Sequence, residues 1–303
     1  MTQLAHQALK PLQGLRIFSL ALNLPGPAAL MRCRQMGAIC VKLEPPGGDP
    51  MARYSAPAYA QLHEGIDVRA ADLKSEVGQR MLSKELDHAD VLLTSFRPSA
   101  LARLGIDWAT LHSRYPALSQ VAIVGGAGER AEAPGHDLSY QAESGLVPAL
   151  DLPASLYADM SGAVMASEAV LRALLARQAD GTGVFIEVSL AAAAAFLALP
   201  RDWGLSRPAG PVGGGHAGYR VYPCKDGRVA VAALERHFAA ALCAAAGLAQ
   251  SDWQAMQAPA THVAVAEFFL TQTCHALDLL SAARDIPLHT MPFDVAQPPD
   301  TTC

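Results

Sequence analysis

From residue 15 to about residue 125, short apolar segments alternate with stretches whose apolar residues recur at helical spacing. The predicted strands cover residues 15–22, 39–44, 90–96 and 118–125, and the predicted helices cover residues 27–36 and 75–86. Strands that alternate with helices are typical of a parallel sheet covered by helices. The first part of the chain is therefore predicted to be an α/β domain: a Rossmann-like open parallel sheet with helices on both faces.

The second half of the chain changes in character. Alanine, leucine and valine at helical spacing predict a long helix over residues 159–177, and residues 184–190 predict one more strand of the sheet. The segment 206–218, SRPAGPVGGGHAG, is rich in proline and glycine, which indicates a linker. These features divide the chain into a large domain at residues 1–205, a linker at residues 206–218, and a smaller α+β domain with a C-terminal tail at residues 219–303.

The small domain begins with a hairpin signal. Lys225, Asp226 and Gly227 separate two extended runs, and Asp-Gly between such runs favours a tight turn. Helices are predicted over about residues 236–247 and 261–282. The proline-rich end of the chain is assigned no element.

Composition excludes several classes of function. Charged residues make up 17% of the 303, the formal net charge is −5, and no basic run occurs, so no nucleic-acid partner is expected. The longest apolar run, residues 190–199, is half of the ~20 residues that a membrane span needs, so it predicts a packed helix and no membrane partner. The N-terminus lacks the features of a signal peptide, so a cytoplasmic location is expected. The six cysteines form no C-x-x-C pair, and no metal site is predicted.

Ligands of open α/β sheets bind beyond the carboxyl ends of the strands. Four loops lie there, NLPGP at 23–27, EPPGGD at 44–49, SFRP at 95–98 and GGAGERAEAPGHD at 125–137. No G-x-G-x-x-G order follows the first strand and no P-loop occurs, which disfavours dinucleotide and P-loop enzymes. Each loop on its own is more simply explained as a turn.

Six segments of the chain, taken together, resemble a known protein family. The chain contains, in order, PLQGLRIFSL with LPGPAALMRCRQMGAICVKLEPPGGDP, then DLKSEVGQ, ADVLLTSFRPSALARLGIDW, YPALSQVAIVGG, PGHDLSYQAESGL and RALLARQADGTGVFIEVSL. Their order and spacing resemble the family III CoA-transferases (the CaiB/BaiF family), which include formyl-CoA and carnitine CoA-transferases and α-methylacyl-CoA racemase. The resemblance runs from about residue 11 to residue 245, and weakly to about residue 291.

The resemblance implies three catalytic residues. Asp159 aligns with the family's shared aspartate, which forms a mixed anhydride and then an aspartyl-CoA thioester in transferases and acts as an acid/base in racemases. His136 matches the histidine of the racemases' G-H-D sequence. Glu235 matches the racemases' glutamate, which supports that histidine from the small domain of the partner subunit. The candidate site is therefore closest to that of α-methylacyl-CoA racemase, and a homodimer is implied.

The same residues also have structural interpretations. Asp159 fits the N-cap of the long helix. His136 fits a helix entrance, with Asp137 equally able to cap that helix. Glu235 fits a solvated residue at a helix start.

Coenzyme A is implied as part of the substrate, an acyl-CoA thioester, and no permanently bound cofactor is expected. The resemblance points to Lys74, in the family's DLK sequence, and to Ser95, Phe96 and Arg97 after the fourth strand. A lysine suits a phosphate as a point charge, and an arginine adds a bidentate donor. Lys74 and Arg97 are otherwise solvated charges, and Phe96 is otherwise a core residue.

The sequence departs from the family at three places. The usual N-R-x-K-R run before DLK is reduced to Arg69, and the G-Y-G-Q-x-G-P loop reads VGGAGERAEAP. The C-terminal segment that returns to the large domain in the family is expected to be short or missing. The first two changes remove groups that line the CoA cleft, and the third leaves open whether the subunits interlock.

Proton transfer at a carbon beside a thioester needs two groups that hold protons near neutral pH, one on each face. His136 and Asp159 meet this need, so the leading expectation is a 2-methylacyl-CoA racemase that works through an enolate. N–H groups at the start of the long helix are expected to stabilise the enolate oxygen. The alternatives are a CoA-transferase with Asp159 as nucleophile and a non-catalytic CoA-binding paralogue.

Overall fold

The computed structural model describes residues 9–293. The chain divides into two compact units, one that ends at Ala198 and one that begins at Leu199. This division falls inside the helix Leu190–Asp202, whereas the sequence placed the end of the large domain at residue 205. The alanine and leucine run carries the helix across the division, and Pro200 lies in its last turn, close to the end of the helix.

The first unit is built on a six-stranded sheet, which is parallel as predicted and contains one strand more than the five predicted. In chain order the strands are β1 Arg16–Ser19, β2 Ile39–Glu44, β3 Asp67–Ala70, β4 Val91–Thr94, β5 Ser119–Val124 and β6 Phe185–Ser189. Their order in the sheet is β3-β2-β1-β4-β5-β6. The order reverses between β1 and β4, and in open α/β sheets ligands bind at such a switch point. The Rossmann-like fold class is therefore confirmed.

Strand β3 was not predicted. Its sequence, DVRA, is short and half-exposed at the sheet edge, and it lacks the apolar run that marks the buried strands. It pairs in parallel with β2, with Val41 opposite Asp67.

Helices cover both faces of the sheet. They are α1 Pro25–Gln35, α2 Met51–Tyr54, α3 Ala56–Leu62, α4 Glu76–Leu86, α5 Pro98–Leu104, α6 Trp108–Arg114, α7 Asp137–Glu143, α8 Tyr157–Asp180 and α9 Leu190–Asp202. One core joins α1 and α8 to one face of the sheet. A second core packs Leu82 of α4, Leu101 of α5 and Leu111 of α6 against the other face. Because side chains alternate along a strand, Ile17 enters the first core and Phe18 the second.

The second unit combines an antiparallel sheet with helices. The sheet has the order β7-β8-β9, from strands β7 Tyr219–Cys224, β8 Gly227–Ala232 and β9 Leu288–Pro292. The helices are α10 Arg236–Ala245, α11 Pro259–Leu270 and α12 Cys274–Arg284. The predicted hairpin is confirmed, because β7 and β8 pair across the Lys225–Asp226 turn.

Three details of this unit differ from the expectation. The single helix predicted over residues 261–282 is two helices, because the Thr273 side chain accepts the Ala276 N–H and starts α12. Strand β9 was not predicted, and it pairs with β8. The end of the predicted linker is packed structure, since His216 and Ala217 are buried after the turn Pro211–Gly215.

Within residues 9–293, no single helix combines the length and the apolar run that a membrane crossing requires. Only the bent pair α11 and α12, counted together, meets that test of length and composition.

Candidate active site

A cavity of about 310 Å³ lies in the first unit, at the reversal of strand order. Its walls come from the loops after β1, β4 and β5 and from the starts of α7 and α8. Five of the predicted site residues line it together, namely Ser95, Phe96, Arg97, His136 and Asp159. The volume is at the lower end of the range typical of small-molecule sites.

Asp159 is the third residue of α8, and its side chain is partly buried on the cavity wall. The alternative interpretation, in which Asp159 caps this helix, is wrong, because Leu156 occupies the N-cap position. The capping oxygen comes instead from Asp137, whose Oδ1 accepts the Asp159 N–H at 2.9 Å. The Gln141 amide also donates to the Asp137 carboxylate. Asp159 is thereby left without a capping role, and its carboxyl faces the cavity.

The electrostatic environment of Asp159 is unusual. Burial, with a further contribution from the negative charge of Asp137, raises the pKa of Asp159 from 3.8 to about 7. A carboxyl with this pKa exchanges its proton near neutral pH, which is the property that a general acid or base needs. Perturbed carboxyls in clefts are frequent at functional sites.

His136 is an exposed residue at the entrance to α7, immediately before Asp137. The Ser139 hydroxyl accepts the His136 N–H at 3.0 Å and donates to the His136 carbonyl oxygen at 2.6 Å. The helix-entry interpretation is therefore correct for the backbone. His136 nevertheless also lines the cavity, together with Asp159.

Helix α7 has two functional faces, since residues four apart lie on the same side of a helix. Asp137 and Gln141 form one face and hold the start of α8. His136 and Tyr140 form the other and line the cavity. Tyr140 was not among the predicted site residues, although its spacing from His136 was a usable signal.

The three residues after β4 have distinct contacts. The Ser95 hydroxyl accepts the Leu22 N–H at 3.0 Å, which ties the loop after β1 to the loop after β4. Phe96 is partly buried, and Arg97 is exposed and precedes α5. All three line the cavity.

Lys74 and Glu235 are not part of the cavity lining. Lys74 is exposed just before α4, and its N–H donates to the Asp72 carboxylate at 2.9 Å. Glu235 belongs to the second unit, where it is exposed at the position that precedes α10.

A buried ionic cluster supports the wall of the cavity. The Lys42 ammonium is fully buried and contacts Asp49 Oδ2 at 2.5 Å, Glu44 Oε1 at 2.9 Å and His63 Nε2 at 2.9 Å. The second Asp49 oxygen accepts the N–H of Asn23 at 3.0 Å. Asn23 lines the cavity with a φ of 65°, a left-handed conformation that asparagine tolerates better than most residues. The cluster therefore fixes the loop after β1, and sequence reasoning did not find it.

Two groups of side chains in the described range have donor atoms close enough to share a metal ion. Glu44, Asp49 and His63 form the first, and there the Lys42 ammonium already fills the position of a cation. Cys224, Asp226 and Cys274 form the second, at the β7–β8 hairpin, with the two sulfurs 3.6 Å apart. Neither group belongs to the cavity lining.

The positions where the sequence departs from the family pattern are engaged in local contacts. Arg69, the remaining cation before DLK, pairs with Asp67 and with Glu85, the latter at 2.6 Å. In the altered loop, the Glu132 carboxylate accepts the Ser99 N–H at 2.6 Å. The side chains of Arg69 and Glu132 are therefore engaged in contacts within the protein.

The open parallel sheet makes this an α/β protein. At the switch point of the sheet, one cavity carries both a carboxyl and an imidazole, which form a candidate proton-transfer site. The chain belongs to CoA-transferase family III, whose family profile matches residues 12–291.

Relatives within this family have differing names. The chain is 31% identical over 204 residues to a "Probable fatty acyl-CoA transferase" of Mycobacterium tuberculosis, covering 60% of this chain and 50% of that protein. It is 29% identical over 259 residues to human alpha-methylacyl-CoA racemase, covering 80% of this chain and 66% of the racemase. The chain thus spans about half to two thirds of the length of these two relatives.

A solved structure shows the same fold. The crystal structure of the hypothetical protein Rv3272 from Mycobacterium tuberculosis superposes with a TM-score of 0.79 at 23% identity, covering 95% of this chain and 85% of that one.

Proposed function

We propose that this chain epimerises a 2-methylacyl-CoA, with His136 and Asp159 as the two proton-transfer groups. The observation that carries the proposal is the presence of both residues on one cavity, where the pKa of Asp159 is raised to about 7. Racemisation removes the α-proton on one face and returns a proton on the other, so each group must both accept and donate near neutral pH. A carboxyl with an ordinary pKa would be a poor donor at that pH.

The CoA portion of the substrate has candidate partners at the same cavity. Ser95, Phe96 and Arg97 line it, and Arg97 offers a planar, charged donor set for a phosphate. Lys74 is exposed outside the cavity. Its ammonium group can bind a phosphate of the part of CoA that extends beyond the cavity. The acyl-CoA enters as substrate, and these four residues are proposed to hold its CoA end.

Glu235 is proposed to support His136 from the partner subunit of a homodimer. This assignment follows the family resemblance, and a complementation experiment tests it. We expect His136→Ala and Glu235→Ala homodimers each to be nearly inactive, and co-expression of the two variants to restore activity. Random pairing makes half of the dimers mixed, and each mixed dimer has one intact site of two, so about a quarter of wild-type activity should return. No recovery above the separate variants would contradict assembly of the site from two subunits.

CoA transfer is the second candidate, and the same carboxyl supports it. Ionised Asp159 would attack the thioester carbonyl, form an anhydride and release the CoA thiolate, which would then attack the aspartyl carbonyl and release the carboxylate. Relatives that are named as transferases favour this reaction. The third candidate is a non-catalytic CoA-binding protein, favoured by the engagement of Arg69 with Asp67 and Glu85.

Incubation of the protein with a 2-methylacyl-CoA in D₂O tests the three candidates together. The proposal predicts deuterium at the 2-position of both enantiomers without any second acid, and loss of this exchange from one enantiomer in Asp159→Asn. A hydroxylamine-sensitive adduct at Asp159, without exchange, would favour CoA transfer. Calorimetric binding of CoA with neither exchange nor adduct would favour the non-catalytic protein. His88→Asn, at an exposed position outside the cavity, is the matched control and should keep the wild-type rate.

A further inference from the structure

Tyr140 shares the cavity-facing side of α7 with His136, four residues earlier. Its side chain is 7% exposed, so the ring is packed in place. The Tyr140 N–H donates to the His136 carbonyl oxygen at 3.3 Å, which fixes the two residues relative to each other.

Two glycines make room for the Tyr140 hydroxyl. A Cβ atom built on Gly125, which follows β5, would collide with this hydroxyl, and so would one built on Gly135, which precedes His136. Both glycines line the cavity. The absence of two side chains from these positions therefore lets the phenol reach the cavity wall.

The Tyr140 hydroxyl has no hydrogen-bond partner among residues 9–293. Its oxygen is accessible from the cavity. The ring is packed, whereas its oxygen is open to the cavity, where a ligand acceptor can reach it. Burial and the nearby Asp159 carboxylate raise the pKa of Tyr140, so the phenol remains protonated. It is a donor that points into the cavity without a protein acceptor.

The enolate oxygen needs such a donor. The expectation that N–H groups at the start of α8 supply it is weakened, because the N–H of Asp159 already donates to Asp137 at 2.9 Å. We propose that the Tyr140 hydroxyl donates a hydrogen bond to the thioester carbonyl oxygen of the substrate and stabilises the negative charge that develops there. This inference rests on the proposed function, and it holds for both reactions, because an enolate and a tetrahedral adduct place charge on the same oxygen.

The test compares Tyr140→Phe with the wild type by deuterium exchange and by the hydroxylamine-sensitive adduct. We expect kcat to fall about a hundredfold to a thousandfold, because one oxyanion donor is lost. KM and the calorimetric affinity for acetyl-CoA should stay within about twofold, because the interaction strengthens in the transition state. Tyr115→Phe is the matched control: it also removes a phenol hydroxyl, but one that lies near Ser83 and Asp87 and away from the cavity, and it should leave kcat unchanged.

A second variant keeps the inference testable should Tyr140→Phe fail to fold. Gly125→Ala retains the hydroxyl but displaces it, so kcat should fall, and the double variant should be no slower than Tyr140→Phe alone. An active wild type with an unchanged kcat in Tyr140→Phe, or in a folded Gly125→Ala when the former is unstable, overturns the role of Tyr140. A rise in KM alone does so as well. A wild type with neither exchange nor adduct contradicts the proposed function itself, and this inference with it.

Discussion

Asp159→Asn should stabilise the protein, and increasingly so as the pH rises. The pKa of Asp159 is about 7 in the folded chain and 3.8 as the ordinary value, so the folded state binds more protons between these two pH values. The stability of the wild type therefore falls as the pH rises through this window, and the loss is complete above about pH 7. Asparagine does not ionise and removes this dependence.

The expected magnitude follows from the two pKa values. A difference of about 3 pH units corresponds to about 4 kcal/mol at pH 8, which is an upper value because the folded chain relaxes and water reaches a partly buried carboxyl. At pH 4 the two proteins should differ by about 0.5 kcal/mol. Retention of an ionisable, destabilising group on a cavity is the pattern of a site that trades stability for function.

Urea unfolding at pH 4, 6 and 8 measures this difference, with the transition of the first unit followed separately because the chain has two compact units. Asp151→Asn, at an exposed position of the same unit, is the control and should show little pH-dependent change. Equal stability of Asp159→Asn and the wild type at pH 8, or a difference that does not grow from pH 4 to pH 8, would refute the reasoning.

Three further variants probe the surroundings of the cavity. Lys42→Met leaves two carboxylates buried without their cation, so the free energy of unfolding in urea should fall by about 3–5 kcal/mol. The control Lys84→Met, at an exposed position, should change it by less than about 0.5 kcal/mol. Equal effects of the two variants would contradict a stabilising role of the cluster. Asp137→Asn removes a negative charge that raises the pKa of Asp159, so the pH–rate profile should shift to lower pH, and an unmoved profile would show that burial alone sets this pKa. Arg97→Ala should weaken CoA binding in calorimetry and reduce its salt dependence, and unchanged affinity would exclude Arg97 as a phosphate partner.

The parallel sheet could be predicted because most residues of its inner strands are apolar, although Lys42 of β2 and Gln120 of β5 are not. β4 and β5 are buried throughout, and such runs are visible without any knowledge of tertiary contacts. Strand β3 could not be found in the same way, since an edge strand with the sequence DVRA is defined by its pairing with β2 and not by its own pattern.

The site was harder to predict from sequence, because it also depends on contacts between residues that are distant in the chain. Position in the family pattern pointed to His136 and Asp159, but the capping oxygen of α8 comes from Asp137, on a different helix. A lysine in the middle of a strand gives no sign that it is fully buried, and the contacts of Lys42 with Glu44, Asp49 and His63 appear only once the chain has folded. The role of Tyr140 depends on two glycines in different loops, and only the fold brings them together.

Exchange measured separately on the two enantiomers of a 2-methylacyl-CoA tests the central claim most directly, because each proton-transfer group should serve one face of the α-carbon. His136→Asn should abolish deuterium uptake from one enantiomer and Asp159→Asn from the other, while each variant retains exchange with the enantiomer whose proton its remaining group removes. Loss of exchange from the same enantiomer in both variants, or full exchange from both enantiomers in either one, would contradict a site in which the imidazole and the carboxyl act from opposite faces.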